Sequence, residues 1–262
     1  MVNLVRREKL TNSLRAGFEM STRIKLMVDR ALRRALPGRC AFCLAPTLDD
    51  RPWCRDCFET LPWNLAACPV CAEPQPVASQ GRRCGTCLRR APAFVRARVP
   101  LRYSEEVVWL VRRFKFRASP RAGMVLLALL EASLTEEARA WPQALVPVPL
   151  HASRARDRGF DQAEWLAKRL ALRLRVPLHH GTRLRDTPSQ RGLDRQQRRT
   201  NLRRGFSVVE PLPSRVVLLD DVMTTGATLE ALALACLAAG AEEVEAWAIA
   251  RTPLGGNMSQ AW

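Results

Sequence analysis

No stretch of this 262-residue sequence approaches the run of about eighteen uninterrupted apolar residues that a membrane-spanning helix requires, because arginine or lysine interrupts every hydrophobic segment. The first 39 residues also lack the apolar core and small-residue cleavage site of a secretory signal, and they carry ten basic against three acidic side chains. The expectation is a cytoplasmic protein without a transmembrane segment. Residues 22–35, TRIKLMVDRALRRA, have the period of an amphipathic helix with Ile24, Leu26, Met27 and Leu32 near one side, and are read as a solvated helix without assigned function. Acidic side chains are scarce, 25 against 42 lysines and arginines, for a formal net charge of +17. That balance points to an anionic substrate or partner without choosing among nucleic acid, phosphate ester and acidic lipid. The segment 151–205 holds fourteen arginines and one lysine against five acids. Aromatics are thin in and beside it, only Phe160, Trp165 and Phe206. Stacking on bases is therefore not evident there, and a polyanion would be held through its backbone.

Cysteine is nearly absent outside one window. Eight of nine lie between positions 40 and 87 as four CxxC pairs: Cys40 and Cys43, Cys54 and Cys57, Cys68 and Cys71, Cys84 and Cys87. The ninth, Cys236, stands in an alanine- and leucine-rich helical stretch and is read as a buried small hydrophobe. A CxxC turn brings two thiolates to one metal, and two turns complete the tetrahedral sulfur shell that zinc prefers, so two zinc ions are expected. A disulfide framework would need an oxidising compartment, and a redox CxxC would be single rather than repeated. Sequential pairing closes the shortest loops and gives two small ribbons, while an interleaved cross-brace stays open. With sulfur at every position such sites are structural, stapling a module too short to fold well alone. Trp53, Trp63, Pro52 and Pro62 would supply its small core.

From Ala93 onward apolar strands alternate with helical stretches, the signature of an α/β fold with a mainly parallel sheet. VRARVPLRYS reads as a strand pair or ribbon, and EEVVWLVRRFKF as an amphipathic helix with Val107, Leu110, Val111 and Phe114 inward. A further helix is expected around 121–139, a strand at 144–150, a helix in FDQAEWLAKRLALRL, a buried strand at 215–220, a helix in GATLEALALACLAAG and a last strand in VEAWAIAR. The segment RVVLLDDVMTTGATLEAL carries the most chemistry. A buried strand ends in Asp220 and Asp221, and Val222, Met223, Thr224, Thr225, Gly226, Ala227 and Thr228 lead onto a helix. Unpaired N–H groups and the positive end of the helix dipole suit a phosphate, with threonine hydroxyls as further donors and Gly226 allowing close approach. Two carboxylates beside such a loop make sense if they accept from sugar hydroxyls or face a divalent cation. The GK[ST] ending of a Walker A loop is absent.

An apolar strand, two acids and a TTG(A)T-like loop resemble the phosphoribosyl pyrophosphate motif of type I phosphoribosyltransferases. LVPVPLHASRARDRGFDQAEWLAKRLA, RDTPSQRGLDRQQRRTNLRRGF and RRFKFRAS, with the four CxxC pairs, resemble the ComF family over almost everything from Cys40 to Arg251. Asp161 stands where that family usually has Asn, and Ala118 where it usually has Gly. The resemblance implies a type I phosphoribosyltransferase-like parallel sheet with flanking helices, preceded by a double zinc ribbon. The expected division is a basic segment 1–36, the ribbons at 37–92, the transferase-like domain at 93–253 and a tail at 254–262. It implies phosphoribosyl pyrophosphate bound with Mg²⁺, Asp220 and Asp221 on the ribose hydroxyls as the catalytic pair, residues 222–228 on the 5-phosphate, and His151, Arg154 and Arg158 near the pyrophosphate. It further implies a link to DNA uptake. The chain would be either a phosphoribosyltransferase of unknown acceptor or a non-catalytic binder of single-stranded DNA that works with competence and recombination proteins.

Overall fold

The computed structural model describes residues 38–47, 51–150, 160–184, 205–209 and 211–254. The amphipathic segment at 22–35, His151, Arg154, Arg156 and Arg158, most of the basic connector and the tail from 255 onward lie outside the described residues. Two compact units are present, one ending at Thr60 and the other beginning at Leu61.

In the smaller unit, β1 (Gly38–Arg39) pairs antiparallel with β2 (Pro46–Thr47), and α1 (Arg55–Thr60) follows. Its aromatic contact is Trp53 stacked on Phe58 with ring centroids 5.1 Å apart.

The larger unit is built on a parallel sheet in the order β3, β9, β8, β5. These strands are β3 (Arg96–Arg98), β5 (Ala144–Pro147), β8 (Arg215–Met223) and β9 (Glu243–Arg251), and β4 (Leu101–Arg102) also pairs with β9. Helices cover both faces of a parallel sheet, so its inner strands read as continuous apolar runs. From Val244 to Arg251 every residue of β9 is buried. VRARVPLRYS is not a hairpin: β3 and β4 run parallel to β9 in one unbroken register, Arg98 opposite Trp247 and Leu101 opposite Ala250. Pro100, which has no N–H to give a ladder, marks the interruption. The strand before the acidic loop extends to Met223 rather than Asp220, because Val222 and Met223 still pair with Ala250 and Arg251. A separate antiparallel pair joins β6 (Thr182–Arg183) to β7 (Phe206–Ser207).

Short α2 (Gly85–Arg89) starts at the fourth CxxC pair. Helix α3 (Glu105–Arg117) buries Val107, Leu110, Val111 and Phe114, the stripe its period requires. It ends at Ala118 in the left-handed region, φ 43°, a conformation a side chain pays for and glycine does not. The single helix expected over 121–139 is two, α4 (Pro120–Ser133) and α5 (Glu136–Ala140), because Thr135 caps the second through Ala138 N–H. In α6 (Gln162–Leu174) both oxygens of the capping Asp161 carboxylate accept main-chain N–H bonds, from Leu150 and Glu164, each 3.0 Å long. An asparagine there would offer one acceptor oxygen. Phe160 and Trp165 pack edge-on against Phe114, so they belong to the contact between α3 and α6. Helix α7 (Ala227–Ala238) closes the motif, and Cys236 within it is fully buried, its thiol pushed up to about 12 by burial.

Candidate functional site

The cysteine sulfurs gather sequentially. Cys40, Cys43, Cys54 and Cys57 form one group and Cys68, Cys71, Cys84 and Cys87 the other, each with its ligand atoms within 4.8 Å of one another. A tetrahedral shell with Zn–S near ~2.3 Å places sulfurs roughly 3.8 Å apart. The Cys43–Cys54 and Cys71–Cys84 sulfurs stand at 3.7 and 3.6 Å, fitting that shell and far beyond the length of a disulfide bond. Main-chain N–H groups point at the sulfurs, Phe42 to Cys40 at 3.4 Å and Cys84 to Cys68 at 3.3 Å. Burial opposes charge on Cys40 and Cys68, yet main-chain hydrogen bonds, from Cys43, Cys54 and Phe42 on the first and from Cys84, Cys71 and Val70 on the second, outweigh it and bring the two thiols to about 6 and about 7. Burial pushes Cys57 and Cys87 upward, so four thiolates in such a space require a cation among them. These are two zinc-binding sites, each of four cysteines.

The acidic loop lies at the carboxyl end of β8, the edge of an open parallel sheet where ligands bind. Asp221 is buried and pairs with Lys115 Nζ at 2.9 Å, while Asp220 is half-buried and accepts the Asp221 N–H at 2.8 Å. Burial, then the charge of Asp221, raises Asp220 to about 7. Gly226 adopts φ 76°, ψ 0° as the N-cap of α7, and the Thr225 hydroxyl accepts the Ala227 N–H at 3.3 Å. The N–H groups of Thr224, Thr225, Gly226 and Thr228 have no acceptor among the described residues. That set, with three hydroxyl-bearing side chains and the start of a three-turn helix, can hold an anion.

Two residues at this site escape sequence reading. Lys115 sits four positions after Val111, at the margin of the buried stripe of α3, and its side chain is 19 % exposed. A lysine at that position of the apolar period was the available signal. Tyr103 lies within electrostatic reach of Lys115 and Asp221, and burial raises its hydroxyl. Arg251, at the end of β9, is the second unforeseen residue: its side chain is 1 % exposed and touches both the loop and the second cysteine cluster. A cleft of about 50 Å³ lies between that cluster and the start of α7, lined by Cys87, Arg90, Thr225, Gly226, Glu230 and Arg251.

Residues 31–88 match the family model of the double zinc ribbon domain. Over 181 residues the chain is 34% identical to Competence protein F of Haemophilus influenzae, covering 65% of this chain and 79% of that protein. Over 225 residues it is 31% identical to DNA utilization protein YhgH of Salmonella typhimurium, covering 83% of this chain and 98% of that protein. Among solved structures, orotate phosphoribosyltransferase from Aeropyrum pernix is a distant likeness, 23% identical with a TM-score of 0.35 over 51% of this chain and 61% of that one. With two cysteine clusters of ribbon type, an α/β unit and near full-length similarity to these proteins, the chain belongs to the ComF family.

Proposed function

We propose that the chain binds phosphoribosyl pyrophosphate with Mg²⁺ at the loop after β8, as a phosphoribosyltransferase-like protein linked to DNA uptake. The observation that carries this reading is the run from Asp220 and Asp221, at the sheet's carboxyl edge, through Thr224 and Thr225 to the N-terminus of α7. In it Asp220 and Asp221 accept from the ribose 2- and 3-hydroxyls, the N–H groups and threonines of 224–228 hold the 5-phosphate, and Lys115 keeps Asp221 neutralised until a sugar or cation takes its place. Turnover breaks the C1–O bond to pyrophosphate and forms a C1–N bond to a nitrogenous acceptor. Mg²⁺ would neutralise the leaving group; the protein's part is positioning. The test is thermal unfolding with saturating phosphoribosyl pyrophosphate and Mg²⁺. A ligand at about a hundred times its Kd adds about 2.7 kcal/mol, a rise of roughly 5–10 °C for a unit of this size. The double substitution Asp220→Ala, Asp221→Ala is expected to abolish the rise, and an unmoved wild-type transition removes the proposal. Pyrophosphate release across a panel of bases and amines then separates enzyme from binder.

A second reading, a non-catalytic contact with single-stranded DNA, is favoured by the outer face of α3. Trp109 is 48% exposed with the Arg113 guanidinium 4.7 Å from its ring centroid, Phe116 is 64% exposed, and Arg112 and Arg117 are exposed beside them. Aromatic and guanidinium groups thus alternate at helical spacing, which suits a strand held by its phosphates and stacked without sequence preference. The names of the relatives, competence and DNA utilization, agree with such a partner. Affinity for an oligothymidylate is expected to fall steeply between 50 and 200 mM salt, by about tenfold or more, and Trp109→Ala to weaken it by a similar factor. A flat salt response rules this reading out.

A further inference from the structure

The guanidinium of Arg251 lies between the second cysteine cluster and the acidic loop. On one side Nε donates to the carbonyl of Cys71 at 3.3 Å and Nη2 lies 2.7 Å from Glu73 Oε2. On the other, Nη1 donates to the carbonyls of Met223, at 3.2 Å, and of Thr224, and also to that of Thr252 at 2.8 Å. Burying a guanidinium is costly unless every face is satisfied, and here carbonyls and one carboxylate surround it. Lysine, a single point of charge, could not span these partners.

The geometry of the peptide unit gives this arrangement a consequence. In a trans peptide the C=O and the following N–H point in opposite directions. Arg251 draws two successive carbonyls, Met223 and Thr224, to its own side, so the N–H groups of Thr224 and Thr225 turn together to the other. Successive N–H groups on one side form an anion-binding concavity. The capture of the Thr224 carbonyl also denies it to Thr228, whose N–H has no acceptor among the described residues. Cys71 belongs to the metal-binding turn, where Ala72 N–H bonds to the Cys68 carbonyl at 2.9 Å and Ala72 holds a left-handed φ of 53°. The turn is further fastened by Ala97 N–H on the Val70 carbonyl and the Asn64 amide on the Ala72 carbonyl, both at 2.8 Å.

We propose that Arg251 is a positioning residue which fixes the anion-binding loop from behind, with the Cys68–Cys87 zinc site as its anchor, so that zinc in that site governs the order of Thr224–Gly226. The part that concerns phosphate rests on the function proposed above; the part that concerns the loop does not.

Amide hydrogen exchange of the full chain reads the second part directly. Arg251→Met is expected to speed exchange at least tenfold at Ala227 and Glu230, whose N–H groups bond to the Thr225 hydroxyl and the Gly226 carbonyl of the loop, with the strand residues Val216–Leu219 unchanged and two zinc ions retained. Glu73→Gln, which alters a side chain that meets Arg251 but not the loop, is expected to give a smaller rise, about threefold. Stripping zinc from the wild type with a chelator, below the lowered unfolding transition, should speed the same amides relative to Val216–Leu219, and should widen that difference little in Arg251→Met. Should Arg251→Met not fold, Glu73→Gln and the chelated wild type decide alone. Unchanged exchange at Ala227 and Glu230 in both, with Val216–Leu219 still protected, overturns the proposal. Affinity for phosphoribosyl pyrophosphate with Mg²⁺ should fall ten- to a hundredfold in Arg251→Met and recover in part in Arg251→Lys. If the wild type shows no affinity, the phosphate reading fails while the exchange results still judge Arg251.

Discussion

Replacing Cys71 by serine is expected to leave one zinc ion per chain and to abolish, or lower by more than about 10 °C, the main unfolding transition, whereas Cys43→Ser also loses one zinc but moves that transition by less than about 3 °C. The apparent free energy of a structural zinc site, about 10–16 kcal/mol in finger peptides, equals or exceeds the whole stability of an ordinary domain. What differs is where that energy is delivered. The first group lies in the unit that ends at Thr60, and the second in the unit that begins at Leu61. Around the second group the polypeptide is bonded into the sheet through Ala97, Asn64 and Arg251, and Ala72 forms part of the main apolar core. Loss of zinc there strands a buried arginine and a buried asparagine away from their partners. Metal analysis and calorimetry of the two variants check the contrast, and equal shifts in the main transition count against it.

Asp220→Asn is expected to raise the melting temperature by roughly 4–8 °C at pH 8 and by almost nothing at pH 4, while removing the response to phosphoribosyl pyrophosphate. The folded protein holds Asp220 at about 7 against an ordinary value of 3.8, through burial and the neighbouring Asp221 charge. A carboxyl raised in this way binds its proton more tightly folded than unfolded. Below pH 4 it is protonated in both states and contributes no difference. As the pH rises from about 4 to about 7 the unfolded chain ionises first, and stability declines until the folded group ionises too. Above pH 7 the full cost remains, on the order of 2 kcal/mol after allowance for the partial exposure of the side chain. Asparagine carries no charge to bury and keeps the shape. Equal gains at both pH values would mean that packing, not ionisation, sets the cost.

The parts of this molecule that follow a local rule could be read from its sequence. CxxC spacing foretold the sulfur groups, because a metal turn is closed within four residues. The inward face of α3 followed from helical period, and the loop at 224–228 from its residue order. The choice between sequential and interleaved sulfur pairing needed coordinates, and so did every role set by sheet register. Met223 joins β8 only because Arg251 stands opposite it. Lys115 looks like a helix-surface cation until Asp221, more than a hundred residues later, is brought to 2.9 Å. Arg251 looks like an ordinary strand end, yet its partner Cys71 lies 180 positions away. No local pattern encodes such a pairing.

The place of β9 in the sheet has a consequence for biosynthesis. It is the strand to which β3, β4 and β8 all bond, yet it is made some 145 residues after Arg98. At translation rates of about 5–20 residues per second, β3 and β4 wait roughly 7–30 s for a partner. Cys84 and Cys87 emerge before either strand, so metal can be taken up while the sheet is still open. The ribosome thus delivers the staple early and the keystone late, and Arg251, the final residue of β9, arrives to find its anchor already formed.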